Sequence, residues 1–115
     1  MKNLILISFA LFAFANIARA GKNDTLKIQT QTYCDHCKVC ENCWGNMEKA
    51  LMYTKGVKKV WYDDKTMLIT VVYNGKKTNA EKIRTAVSKC GFDADQVKAD
   101  TKAQSKLDGC CKKKE

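Results

Sequence analysis

The chain has 115 residues, 29% of them charged, and a formal net charge of +9, which is enough for one small core but not for two. Its lysines are scattered along the whole length without an arginine cluster or stacking aromatics. This speaks against nucleic acid as a partner and reads as a solvated basic face, with an acidic docking partner as the functional alternative. Proline is absent, so helix ends depend on glycine and capping side chains.

The first twenty residues read as a secretory signal peptide. Lys2 gives a charged start, Leu4 to Ala15 an apolar run broken only by Ser8, and Ala18-Arg19-Ala20 a small-residue cleavage site before Gly21. The apolar run is too short for a membrane anchor, and no cysteine follows Ala20 for a lipid. The expectation is an exported protein, secreted and periplasmic, with no membrane span after cleavage. The remaining 95 residues carry 19 lysines and arginines against 12 acids, a net charge of +7 once Lys2 and Arg19 leave.

Leu26, Ile28 and Thr30 alternate with Lys27, Gln29 and Gln31, the period of a strand. A loop rich in cysteine follows. From about Cys43 the period changes. Met47, Ala50, Leu51 and Thr54 fall on one side of a helix, with Asn42 as its cap and Gly56 as its stop. Val57 opens a second strand in which Val60 and Tyr62 point one way, and Asp63-Asp64-Lys65 turns the chain. Met67, Ile69, Val71 and Tyr73 form one side of a third, more central strand, ended by Asn74-Gly75. Thr78 or Asn79 caps a second helix with Ala80, Ile83, Ala86, Val87 and Cys90 on one face, and Gly91 stops it. Phe92 to Val97 is predicted as a fourth strand and Asp100 to Leu107 as a polar helix. Gly109-Cys110-Cys111 and a lysine-rich end complete the chain. The order β-α-β-β-α-β predicts an α+β fold: a ferredoxin-like split βαβ sandwich, one antiparallel sheet with two helices on one face.

The chemistry is concentrated in TYCDHCKVCENCWGNME, where Cys34, Cys37, Cys40 and Cys43 recur every third residue. Thiols this dense bind a soft metal, form disulfides or do redox chemistry. Export favours disulfides, but seven cysteines is an odd number, and four within ten residues do not staple distant parts of a chain. Cys40 and Cys43 flank a loop-to-helix junction, where unpaired N–H groups and the positive helix end favour a thiolate. Two such thiolates suit Cu(I), and by the same logic Ag(I) and Hg(II), with Zn(II) or Cd(II) where more ligands are near. Cys34 and Cys37 offer a second site, a four-thiolate site shared with the first, or disulfides. His36 reads as an exposed loop residue and Cys90 as a small core hydrophobe. Trp44 is either partly exposed beside the site or simply packed. Cys110 and Cys111 fold back to add thiolates, capture metal separately, or fray.

The flanks of the Cys-x-x-Cys pair extend the argument. Met47 and Leu51, Gly56-Val57-Lys58-Lys59-Val60, Val71-x-Tyr73, and Ile83, Ala86 and Val87 leading into Gly91-Phe92-Asp93-Ala94 resemble the heavy-metal-associated domain over residues 25–97. This is the module of copper chaperones, copper-transporting ATPases and periplasmic mercury-binding proteins. The resemblance implies a domain over 21–99, followed by a polar helix and Cys-Cys, lysine-rich tail over 100–115. It implies Cys40 and Cys43 as metal ligands and Phe92 as a shield for the ion. The partner it implies is a metal transporter or another metallochaperone with its own thiolates. A monomer is expected, with a metal-bridged dimer as the alternative. The chain departs from the family in having Lys38 where a methionine is usual, and in its extra Cys34-Asp35-His36-Cys37 and Cys110-Cys111.

The expected function is thus a soft-metal carrier or scavenger. No nucleophile–base or carboxylate pair stands out, so no enzyme activity is expected. A thiol redox module is the alternative, although thioredoxin-like enzymes use Cys-x-x-Cys in another βα context, usually opposite a cis-proline. An iron–sulfur electron carrier is a third reading. The last cysteine spacing is wrong for the bacterial ferredoxin run, the following proline is missing, and there is no second motif.

Overall fold

The computed structural model describes residues 23–34 and 37–112. The expected signal peptide, His36 and the last three residues lie outside them. Strands β1 (Asp24–Gln29), β2 (Val57–Asp63) and β3 (Leu68–Tyr73) form one antiparallel sheet in the order β1-β3-β2. Helices α1 (Asn46–Tyr53) and α2 (Ala80–Ser88) follow β1 and β3, and a short α3 (Thr101–Ser105) comes after them. The arrangement is the α+β, ferredoxin-like one.

The alternating residues of the strands meet the helical apolar stripes as the periodicity requires. Ile28, Ile69 and Val71 from the sheet, and Met47, Leu51, Ile83 and Val87 from the helices, are fully buried together. Each such side chain contributes roughly 1.5–3 kcal/mol by leaving water. A register shift between Val57 and Lys59 keeps Val57, Val60 and Tyr62 turned toward the core despite the odd spacing. Met67 belongs to the turn before β3, with φ 57°, rather than to the strand. Asn79 caps α2, its Oδ1 accepting from the Lys82 N–H at 2.9 Å. Gly56 leaves α1 with φ 94°, the left-handed conformation that favours glycine.

The fourth strand expected over Phe92–Val97 is not formed. The segment turns on itself instead: Ala94 and Val97 exchange backbone hydrogen bonds at 2.8 and 2.9 Å. Asp95, at φ 53°, reaches the edge of β1. Its N–H donates to the Gln29 carbonyl, and its Oδ1 accepts from the Gln29 N–H, both at 2.9 Å. Arg84 braces the same carboxylate at 3.0 Å. A side chain thus supplies the hydrogen bonds that a strand would have supplied, and the left-handed backbone prevents the ladder from continuing.

The chain beyond Ser88 is fastened to the domain. The Asp100 N–H donates to the Ser88 carbonyl at 3.0 Å, Ser88 Oγ to the Lys98 carbonyl at 2.6 Å, and the Ala99 N–H to Asp93 Oδ1 at 2.9 Å. Gly91 (φ 95°) lies directly under α3: a Cβ there would come within 2.9–3.0 Å of the Ala103 and Gln104 backbone. Gly91→Ala is therefore expected to destabilise the protein by about 1–3 kcal/mol, through backbone strain and displacement of α3 together. Urea unfolding followed by tryptophan fluorescence measures it; an unchanged midpoint would show that α3 does not rest there.

Candidate metal centre

The three-residue spacing of the cysteine run has a direct backbone consequence. The Cys37 N–H donates to the Cys34 carbonyl at 3.3 Å, Cys40 to Cys37 at 3.2 Å, and Cys43 to Cys40 at 3.2 Å. Each cysteine closes a tight turn on the one before it. The run passes through a 3₁₀ turn at Cys37–Val39 and a π-type turn at Glu41–Gly45 before α1 begins. Cys43 thus precedes the regular helix rather than sitting in its first turn. The Gly45 N–H also donates to the Cys40 carbonyl, at 3.0 Å, and a Cβ on Gly45 would stand 3.3 Å from that oxygen.

Alternate cysteines go to different surroundings. Cys37 and Cys43 are joined by a disulfide, with Cα atoms 5.2 Å apart, and both lie in the apolar core. Cys34 and Cys40 are only partly buried. The Cys-x-x-Cys pair is therefore not brought together as two thiols here, because the Cys43 sulfur is bonded to Cys37. Phe92, 2% exposed, belongs to the same buried cluster as the disulfide. Trp44 is packed and not open beside the loop: it stacks on Tyr62 with ring centroids 5.3 Å apart. The Tyr62 hydroxyl pairs with Thr32 Oγ1 at 2.8 Å, and burial, outweighing that hydrogen bond, raises its pKa above the usual phenol value. Tyr62 thereby holds both ends of the loop, a role its inward strand position suggested only as core packing.

Asn42 does not cap α1. Its amide donates to the Asp108 carboxylate, which brings the C-terminal turn Gly109–Cys111 over the loop. The sulfurs of Cys34, Cys110 and Cys111 lie within 4.8 Å of one another, and those of Cys110 and Cys111 are 3.9 Å apart. Cys111 is 1% exposed. Burial, and then its neighbours Cys110 and Cys40, push its thiol up to about 12. The tail is folded back over the loop. Cys90 stands apart, its thiol directed at the Ala86 and Asn46 carbonyls at 3.5 and 3.7 Å, with its pKa raised by burial. No helix among the described residues is long and apolar enough to cross a membrane.

Residues 39–93 match the heavy-metal-associated domain. The fold is similar to that of the CopZ metallochaperone (TM-score 0.52, 21% identity, 62% of this chain and 98% of that one). It is also similar to oxidized MerP from Ralstonia metallidurans CH34 (TM-score 0.53, 22% identity, 63% and 93%). A third likeness is to the N-terminal domain of a potential copper-translocating P-type ATPase from Bacillus subtilis, solved in its Cu(I)-loaded state (TM-score 0.54, 22% identity, 64% and 85%). No curated protein sequence matches the chain.

The docked tail predicts an order of thiol reactivity. The thiolate is the attacking species, so a raised pKa keeps a thiol unreactive at neutral pH. Iodoacetamide is expected to modify the exposed Cys110 well before Cys111. Cys111 labelling should keep accelerating as pH rises toward about 12. Peptide mass analysis resolves the two sites, and equal rates at neutral pH would mean that the tail is not docked.

Proposed function

We propose that this chain, which carries a heavy-metal-associated domain, is an exported soft-metal carrier or scavenger. It is read as a binding protein and not an enzyme. The observation that carries the reading is that the family match begins at Val39 and so takes in both Cys40 and Cys43 at the approach to α1. In this reading the two thiolates hold a soft ion, Cu(I) first, with Hg(II), Zn(II), Cd(II) or Ag(I) as alternatives, and Phe92 shields it. The protein works in the periplasm and passes the ion by ligand exchange to the thiolates of a transporter or another metallochaperone. Few ligands on a loop suit that purpose, because an incoming thiolate displaces them one at a time.

Loading the pair first requires the Cys37–Cys43 disulfide to open. A thiol reductant supplies two electrons and two protons, leaving two thiols and an oxidised reductant. That requirement supports a second reading, a thiol redox module, in which the same bond exchanges with partner disulfides. The two make different demands on the reduced protein. Under anaerobic conditions the reduced chain is expected to take Cu(I) from a chromogenic chelator, and Cys43→Ser to weaken that binding by about tenfold or more, at least about 1.4 kcal/mol. A reduced chain that leaves Cu(I) with the chelator while exchanging disulfides with glutathione would instead establish the redox reading.

A further inference from the structure

Three cysteines that the Cys-x-x-Cys reading does not use, Cys34, Cys110 and Cys111, are brought together. Cys34 leaves the loop just after Thr32, which is held by Tyr62. Cys110 and Cys111 arrive from the far end of the sequence, and the three sulfurs fall within 4.8 Å of one another. Three thiolates bound about 2.3 Å from one Zn(II) ion stand about 4 Å apart. The Cys110–Cys111 separation of 3.9 Å already meets that spacing, and closing the remainder requires a movement of under about 1 Å by that same geometry.

The approach is built by several independent contacts. The backbone of α3 rests on Gly91, Asp100 is bonded to Ser88, and Asp108 accepts from Asn42 of the loop itself. Cys111 is as deeply buried as the core residues. Ordering a C-terminal tail costs conformational entropy for every residue fixed, and these contacts offset that cost where they bring sulfur to sulfur. A divalent ion on three thiolates leaves one net negative charge, and Lys112, Lys113 and Lys114 follow directly in the sequence.

We infer that Cys34, Cys110 and Cys111 form a second thiolate site, completed by the C-terminal turn, for a closed-shell divalent ion of the Zn(II) and Cd(II) class. None of its three sulfurs belongs to the Cys37–Cys43 bond, so it binds while that disulfide is intact. It shares with the proposed carrier function only the preference of thiolates for soft ions.

Cd(II) alone is the probe, because sulfur-to-cadmium charge-transfer absorption reports thiolate ligation directly. The full exported chain is prepared with Cys37–Cys43 oxidised, as verified by mass. It is expected to bind one Cd(II) with that absorption, and both Cys110→Ser and Cys34→Ser should weaken binding at least tenfold. Cys110 is exposed, so its variant tests the site without touching the core, and unchanged tryptophan fluorescence confirms the fold. Cys40→Ser is expected to retain the absorption of three thiolates. No Cd(II) uptake by the oxidised chain overturns the inference, as does uptake indifferent to Cys110→Ser or Cys34→Ser. A tail whose cysteines have paired as a disulfide and take no ion overturns it as well. The carrier reading is judged separately, by Cu(I) on the reduced chain and its loss in Cys43→Ser, so either reading can fail while the other stands.

Discussion

The disulfide between Cys37 and Cys43 lies inside the apolar core, and the disposition of the other loop sulfurs follows from it. Bonding two alternate members of a three-residue repeat turns that pair inward and leaves the other pair, Cys34 and Cys40, toward the surface. The loop gains from this a covalent link buried in the hydrophobic core, which four separate thiols would not have supplied. Trp44 on Tyr62 adds a second anchor on the same side. The loop is therefore held by its inner half, and its outer half is presented to the C-terminal turn.

Much of the fold was legible because local pattern and tertiary demand coincide. The β3 run of Ile69 and Val71, the α2 stripe of Ile83 and Val87, and the Asn79 cap each occupy the place their periodicity or side-chain chemistry suggests. The fourth strand was not legible. An alternating stretch at Phe92–Val97 carries no local mark of Asp95's left-handed backbone, or of the carboxylate that replaces the ladder beside Gln29. Asn42 looked like a cap because capping and tail-holding use the same amide chemistry, and only the position of Asp108 decides between them.

The cysteine run shows the same division. Its composition announces thiol chemistry, and its spacing explains the stair of turns that each cysteine closes on the last. Which sulfur pairs with which is not a property of spacing, since residues three or six apart both come within reach in a chain of tight turns. The contribution of Cys110 and Cys111 depended on Gly91, some twenty residues away. Its missing side chain lets α3 settle close enough to carry the tail back. A glycine read as a helix stop is also the floor on which a distant segment stands.

The short turn that takes the place of a fourth strand also affects how copies of this protein meet one another. Asp95 satisfies only the Gln29 end of β1, so among the described residues the rest of that strand's outer edge has no neighbouring strand. Such an edge is a template for edge-to-edge pairing between molecules. Asp24 and Lys27 place exposed charges along it, and an incoming strand must bring those charges close to its own side chains. An opening left by the fold is thereby guarded against self-association by the charges it exposes.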